Sequence, residues 1–277
     1  VSGIEAPGLT ALGDQHFSDD QVRGLEAIAA TAWPAAERQP LDGWLLRASP
    51  APTRRVNSVL ANAVETAMSL EARIDAVEDY YRRRRQPPRF QLTRGSCPNG
   101  LDAALADRGY EIEAPVDVQI AAAAALETTT GLDGTAMVRV TDTLTPDWME
   151  VYSGGFNRDV TSVIEQISAP AAFLTLQDAD GAQDGAQDGA LGDALGVALG
   201  VLAEGWLGIF GMQTRVERRN QGFGRAMLAG LAAWALEEGA VGVYLQVEQD
   251  NPDARRLYER QGFRTVYTYH YRTLFSS

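Results

Sequence analysis

Apolar residues recur at helical spacing between Asp19 and Trp33, where Val22, Leu25, Ile28 and Ala29 fall on one face. The period then shortens to that of strands. Gly43 to Ser49 and Thr53 to Leu60 read as two strands around a proline-containing turn. Leu70 to Arg85 returns to helical spacing through Ile74, Val77 and Tyr81, and Pro87-Pro88 stops it. A strand at Arg89 to Thr93, a helix at Leu101 to Asp107 closed by Gly109, and a strand at Tyr110 to Ala121 complete a first mixed unit. The alanine run from Ala121 to Ala125 and the stretch up to Gly134 read as the passage to a second unit.

That second unit opens with a strand at Met137 to Val140 and a helix started by Thr145-Pro146-Asp147, where Thr can cap and Pro suits the first turn. A helix near Val160 to Ile167 and a strand at Ala172 to Leu176 follow. Residues 178 to 194 carry Ala182-Gln-Asp-Gly and then Ala186-Gln-Asp-Gly, an acidic insert with nothing to bury, and a disordered excursion is expected there. Strands at Leu195 to Ala203 and Trp206 to Thr214, a helix at Gly222 to Glu238, a strand at Val241 to Val247, a helix at Pro252 to Arg260 and a final strand pair through Thr273 close the chain.

The halves echo each other. Leu105-Ala-Asp-Arg-Gly-Tyr and Tyr258-Glu-Arg-Gln-Gly-Phe lie 258 - 105 = 153 residues apart, each ending a helix before a strand. Phe90-Gln-Leu and Val243-Tyr-Leu share that offset, and Gly43-Trp44-Leu45 resembles Gly205-Trp206-Leu207 at a larger one. A helix that ends in Gly before a strand produces such a hexapeptide by itself. The repeated order of elements favours a duplicated fold in tandem, divided near residue 130 into units over 1–130 and 131–277.

Composition narrows the chemistry. A net charge of -13 disfavours a nucleic-acid partner, since phosphate backbones are held by clustered cations. All 24 basic residues are arginine, which with the many alanines suggests GC-rich, bacterial coding. Cys97 is the sole cysteine and His16 and His270 the only histidines, so neither a disulfide framework nor a His-based metal site is expected. No apolar run reaches membrane-spanning length, and the expectation is a soluble cytoplasmic protein with no membrane partner.

The segment with chemical content is Thr214-Arg-Val-Glu-Arg-Arg-Asn-Gln-Gly-Phe-Gly-Arg. A strand enters a Gly-containing turn and leaves as a helix, so backbone N–H groups and the positive end of a helix dipole converge, a geometry suited to a diphosphate. Gly222 and Gly224 let a ligand approach the backbone, and Arg219, with Arg218 or Arg225, adds charge. Alone, Arg-x-x-Gly-x-Gly also describes an ordinary turn before a helix. Here it is followed by Leu245-Gln-Val-Glu-Gln-Asp-Asn251-Pro-Asp-Ala-Arg-Arg-Leu257-Tyr258-Glu-Arg-Gln-Gly262-Phe263. Together the two segments resemble the GNAT (Gcn5-related N-acetyltransferase) family, whose cofactor signature lies between a strand and a helix and whose second motif ends in Leu-Tyr before Gly-Phe. The likeness covers roughly Met137 to Thr273 and is sharpest from Met212 to Phe263.

The resemblance implies an α/β fold of two tandem GNAT-like domains, each a twisted, mixed, mainly antiparallel sheet flanked by helices. It implies acetyl-CoA as cosubstrate and no metal. Its pyrophosphate falls to the N–H groups of Gln221, Gly222, Phe223, Gly224 and Arg225, beside Arg219. Met212, Thr214 and Val216 lie on the strand expected to pair with pantetheine, from which Leu245 to Val247 splays away. Asn251 either caps the next helix or bonds the pantetheine arm, and Tyr258 either protonates the departing thiolate or packs in the core. For the base, Glu248 ranks ahead of Glu204 and Glu217, against the alternatives of solvated carboxylates and a water chain. Tyr267, Tyr269 and Tyr271 alternate to one face of a strand that could wall an acceptor pocket, with His270 on the other.

The place matched to the glycine loop in the first half, Thr53 to Ala63, has no Gly, so that half is expected to be a degenerate copy serving as scaffold or acceptor wall. Arg82 to Arg85 read as a solvated helix end. The expected activity moves an acetyl or short acyl group to a small-molecule amine or a peptide N-terminus by direct attack in a ternary complex. A non-catalytic acyl-CoA sensor is the rival reading, and a homodimer stays open.

Overall fold

The computed structural model describes residues 16–63, 67–127, 136–156, 159–179 and 193–275. The residues before 16, the core of the acidic insert and residues 128–135 lie outside them. Helix α1 (Asp19–Ala32) starts at a reciprocal cap: Ser18 Oγ accepts from Gln21 N at 3.2 Å, and Gln21 Oε1 accepts from Ser18 N at 2.7 Å. Strands β1 (Glu37–Leu41) and β2 (Trp44–Ala48) form a hairpin across Asp42 and Gly43, both at positive φ. Then come β3 (Val59–Leu60), α2 (Leu70–Arg83), β4 (Arg89–Thr93), α3 (Leu101–Asp107), β5 (Glu111–Ala122) and α4 (Ala123–Glu127). Next are β6 (Ala136–Thr141), α5 (Pro146–Phe156), α6 (Thr161–Ile164), β7 (Ala171–Asp178), β8 (Ala194–Ala203) and β9 (Trp206–Thr214). The chain ends with α7 (Phe223–Glu237), β10 (Gly242–Glu248), α8 (Pro252–Arg260) and β11 (Arg264–Thr273).

Three local readings are corrected, and one strand, β1, has no counterpart in the sequence reading. Thr53 to Ser58 is a turn, because Asn57 takes over the backbone groups that a ladder would use. Its Nδ2 donates to the carbonyls of Ala51 (2.7 Å) and Thr53 (3.0 Å), and its Oδ1 accepts from Ser49 N (2.8 Å). The β1 strand, interrupted by Pro40 and mostly exposed, has no apolar alternation to announce it. The alanine run ends β5 and forms α4, which packs on α7. The final segment is one strand, bent where its pairing with β5 slips after Thr265 and after Tyr269.

All strands form one mixed sheet in the order β1-β2-β3-β4-β11-β5-β10-β9-β8-β7-β6. Only β3–β4 and β9–β10 pair in parallel, each through a crossover helix, α2 or α7. The two halves repeat the order strand, strand, strand, helix, strand, helix, strand: β1 to β5 with α2 and α3, and β7 to β11 with α7 and α8. Their final strands are exchanged. β5 lies beside β10, while β11 lies beside β4 and closes against β5. The offset of 153 is structural: Tyr110 N donates to Leu105 O at 3.0 Å and Phe263 N to Tyr258 O at 3.0 Å, after Gly109 and Gly262 at φ 83° and 85°.

The Gly-Trp-Leu likeness is not part of this repeat. Topology matches β2 with β8 and β3 with β9, so Trp44 and Trp206 occupy different strands of the two copies. They look alike because each follows a hairpin turn with two residues at positive φ, Asp42-Gly43 and Glu204-Gly205. In the first half, the connection equivalent to the glycine loop is therefore residues 61–69, between β3 and α2, and it too lacks glycine.

Three apolar clusters hold the sheet. One packs α2 and α3 on the first half, through Trp44, Tyr81 and Phe90. A second lies under α7, with Met227, Leu231, Val243, Leu245 and Val247. The third covers the opposite face of the second half and is shared, because α1 packs on β8 and β9 beside α5. Among the described residues no helix is long and apolar enough to cross a membrane.

Candidate functional site

The site is built where β9 and β10 part. They pair from Trp206 with Gly242 to Ile209 with Leu245, and no further. Beyond that point β10 stays on β5, in register from Gly242 with Ala122 to Glu248 with Val116. β9 stays on β8 and bends with it, since Val197 faces Gln213 and Leu199 faces Phe210, leaving Gly211 and Met212 opposite Ala198 alone. Gly211 sits at φ 57°, and a Cβ there would come within 2.9 Å of the Tyr152 ring. The result is a slot, with the backbone of Phe210 to Thr214 along one wall and Gln246 to Glu248 along the other. Met212 and Thr214 are half-buried on the first wall, and Val216 is exposed beyond it.

The β9 wall leads into the glycine loop. A short 3-10 turn over Val216–Arg218 is followed by Arg219, Asn220 at φ 62°, Gln221, and Gly222 at φ 82° as the N-cap of α7. Gly222 supplies no side-chain cap, and the helix ladder begins with Ala226 N donating to Gly222 O. The amides of Phe223, Gly224 and Arg225 thus have no acceptor within the helix. Arg219 and Gln221 are exposed; Arg218 is held by Asp178 at 3.5 Å and lies over the Phe223 ring. The two glycines differ. A Cβ on Gly222 would meet open space, whereas one on Gly224 would come 2.7 Å from Leu257 Cδ2, so Gly224 admits α8 against α7.

On α8, Asn251 caps the helix: its Oδ1 accepts from Ala254 N at 3.2 Å. Tyr258 is buried among the residues under α7, edge-on to Phe263 at 5.8 Å between centroids, and burial pushes its phenol up to about 12. Its hydroxyl donates to no partner among the hydrogen bonds of the described residues.

Alternation on β10 sends Val243, Leu245 and Val247 under α7 and Tyr244, Gln246 and Glu248 to the other face. There the first half closes over the second. Glu248 is half exposed and accepts from Arg54 at 3.2 Å; Arg54 also binds Glu113 at 2.6 Å. Arg55 lies over the Phe210 ring, 5.5 Å from its centroid, and hydrogen-bonds Tyr269. Tyr269 Oη in turn donates to Gln246 Oε1 at 3.2 Å. Trp33 stacks on Phe210 at 5.1 Å, and Tyr244 stands edge-on to it. Behind them Glu26, fully buried, accepts from Tyr267 Oη (2.9 Å) and Gln91 Nε2 (2.7 Å), and burial raises its carboxyl.

The other sequence candidates lie elsewhere. Glu204 is in the β8–β9 turn, at the end of β9 opposite the slot, and Glu217 is exposed in the 3-10 turn. His270 faces away from the tyrosines and meets Asp102 at 3.3 Å. Arg82 pairs with Asp79 and Arg84 with Glu37 on the surface. Sequence reading missed Arg54, Arg55, Tyr244 and Gln246. The alternation around Glu248 could have placed the last two, but nothing local announces that a turn from the first half reaches this face.

Comparison with known proteins agrees with this architecture. Residues 19–272 match the family described as "Probable histone acetyltransferase Rv0428c C-terminal". An uncharacterized N-acetyltransferase, YobR, of Bacillus subtilis is 27% identical over 91% of this chain and 98% of its own length. The probable histone acetyltransferase Rv0428c of Mycobacterium tuberculosis is 26% identical over 95% of this chain and 77% of its own. Among solved structures, a GCN5-related N-acetyltransferase from Kribbella flavida superposes with a TM-score of 0.71 at 13% identity, over 92% of this chain and 96% of that one. A tandem GNAT protein from the clavulanic acid biosynthesis pathway gives 0.63 at 12% identity, over 97% and 94%. The shared fold is the tandem GNAT fold.

Proposed function

The chain belongs to the Rv0428c C-terminal acetyltransferase family and is a tandem GNAT acyltransferase, and from that premise we propose that it transfers an acetyl group from acetyl-CoA to a primary amine. The observation that carries this reading is the parting of β9 from β10 directly before the uncapped start of α7. The slot offers an unpaired strand edge to pantetheine amides, and the loop offers amides and Arg219 to a diphosphate. Residues 1–130 and 131–277 are read as two domains, the second carrying the cofactor.

Bound there, acetyl-CoA supplies a thioester: the amine nitrogen bonds to its carbonyl carbon as the C–S bond breaks. The protein's part is proton handling and orientation. Met212, Thr214 and Val216 hold the arm on the β9 side, and Gln221 to Arg225 hold the phosphates. Asn251 fixes the start of α8 and thereby the position of Tyr258. Glu248, at the end of β10 bordering the slot, takes the proton lost by the amine. Tyr258 gives a hydrogen bond to the sulfur as negative charge develops on it. Calorimetric titration of CoA, followed by thiol release from acetyl-CoA across amines, peptides and aminoglycosides, tests the reading. A folded protein that binds no CoA refutes it, and CoA binding without turnover of any acceptor favours a sensor.

A further inference from the structure

Among the described residues, three polar groups on the acceptor face have no hydrogen-bond partner: Arg55 Nε, Tyr244 Oη and Gln246 Nε2. Tyr244 is fully buried, while Arg55 and Gln246 are half-buried. They are neighbours. Arg55 hydrogen-bonds Tyr269, whose hydroxyl holds the Gln246 carboxamide oxygen at 3.2 Å, and both Arg55 and Tyr244 pack on the Phe210 ring. Arg55 Nε and Gln246 Nε2 can only donate, and the Tyr244 hydroxyl can donate as well, so one acceptor would serve all three.

Charge points the same way. Arg54 has two carboxylate partners, Glu113 and Glu248, whereas Arg55 makes no ion pair among the described residues. Arg47, buried nearby, is satisfied by Ser58 and Gln91. The buried carboxylate of the cluster, Glu26, is held by Tyr267 and Gln91, and Arg47 and Arg55 both lie close enough to favour its charged form. A guanidinium partly withdrawn from water, with no ion pair of its own and a neighbouring Glu26 that burial pushes toward its neutral form, is costly unless further negative charge arrives with a ligand. The protein's net charge of -13 draws cations from a distance, but screening beyond about 8 Å leaves selection inside the pocket to the nearest groups.

We propose that Arg55, with Tyr244 and Gln246, recognises a carboxylate on the acceptor, so that the amine acetylated at this site belongs to a small amino acid-type zwitterion. This rests on the acyltransfer reading and deepens it. The nest lies on the sheet face opposite α7, away from the loop assigned to phosphate, so it is not a second grip on the cofactor. Arg55 acts as a specificity determinant, and the first half of the chain supplies it.

The test uses the full chain saturated with CoA. α-, β- and γ-amino acids are titrated calorimetrically, each against the amine lacking the carboxylate, such as γ-aminobutyrate against butylamine. A basic histone-tail peptide is the contrasting probe. At least one amino acid should bind about 10-fold to 100-fold more tightly than its partner amine, as a charge-assisted pair allows. Arg55→Gln should collapse that ratio, and Arg55→Lys should restore part of it, with melting and CoA titration confirming a folded site. The inference is overturned if no amino acid binds better than its partner, if the ratio survives Arg55→Gln, or if the basic peptide binds best. Failure of CoA itself to bind is a separate result and strikes the acyltransfer reading instead.

Discussion

Tyr258→Phe removes one oxygen and keeps a ring that packs against Phe263 at 5.8 Å. The size of its effect follows from the burial of the phenol, which lifts it to about 12. An ordinary thiol titrates near 8.5, so complete proton transfer to the leaving sulfur from this phenol is uphill by about 3.5 units, or about 5 kcal/mol at about 1.36 kcal/mol per unit. The favourable contribution is then the hydrogen bond to developing negative charge, about 1.5 to 3 kcal/mol. At about 1.4 kcal/mol per factor of ten, the acyl-transfer step should slow about 10-fold to 150-fold. Most of that interval lies below the range for general acids, about 100-fold to 10,000-fold, and it only reaches the bottom of that range. Stability should fall by less than the worth of a hydrogen bond, about 0.5 to 1.5 kcal/mol, because no protein hydrogen bond to the hydroxyl is lost. The assay is single-turnover thiol release with an accepted amine, alongside acetyl-CoA affinity and thermal melting. An unchanged single-turnover rate leaves Tyr258 as packing. A large loss of stability would mean that the hydroxyl serves the fold.

Glu26 gives a pH prediction: its folded pKa is raised above the unfolded value of 4.5, so the folded state holds a proton that the unfolded state releases. Stability should therefore fall as pH rises from about 4.5 through the folded pKa, and denaturant titrations of Glu26→Gln should be flat over that window. A wild-type curve that rises there would contradict the burial argument. Gly224→Ala drives a methyl to 2.7 Å from Leu257 Cδ2 and should cost about 1 kcal/mol, since a half-buried leucine can yield. Adding Leu257→Ala should give a double mutant more stable than the sum of the single losses, and strict additivity in melts would show that the two do not meet. Calorimetry should find one CoA per chain, because the connection over residues 61–69 has no glycine; a stoichiometry of two would restore the first half as a binding domain.

Elements that carry their own signals were readable from the sequence. The helices at Asp19, Leu70 and Pro252 announce themselves by caps and a single apolar face, and β8 and β9 by apolar runs between turn residues. The glycine loop and α8 were legible for the same reason, since their motifs are local. The turn at Thr53 was not, because β-branched and apolar residues there suggest a strand, and the Asn57 side chain that overrides them acts through three separate hydrogen bonds. Gly224 shows a finer limit. A glycine in a phosphate-loop pattern invites a ligand explanation, and only the position of Leu257 reveals that helix packing also demands it.

The largest gap between sequence and structure is the exchange of the last strands, and the candidate site depends on it. Because β5 holds β10 along its full length, β10 cannot follow β9 when β9 bends at Gly211, and a slot results. Because β11 crosses to lie between β4 and β5, Tyr269 reaches Gln246 and Arg55 together. Each copy ends in the same helix stop, glycine and strand, so nothing local distinguishes a strand that returns to its own half from one that crosses. What decides is which hydrophobic face each final strand can cover: Val116, Val118 and Ile120 of β5 join the shared cluster with Val266, Tyr267, Tyr269 and Tyr271 of β11. A first half without a glycine loop therefore need not be inert. Its turn at Arg54 and Arg55 meets the β10 side chains Gln246 and Glu248 on the sheet face opposite α7, through Tyr269 of the traded strand β11 and through Glu248 directly.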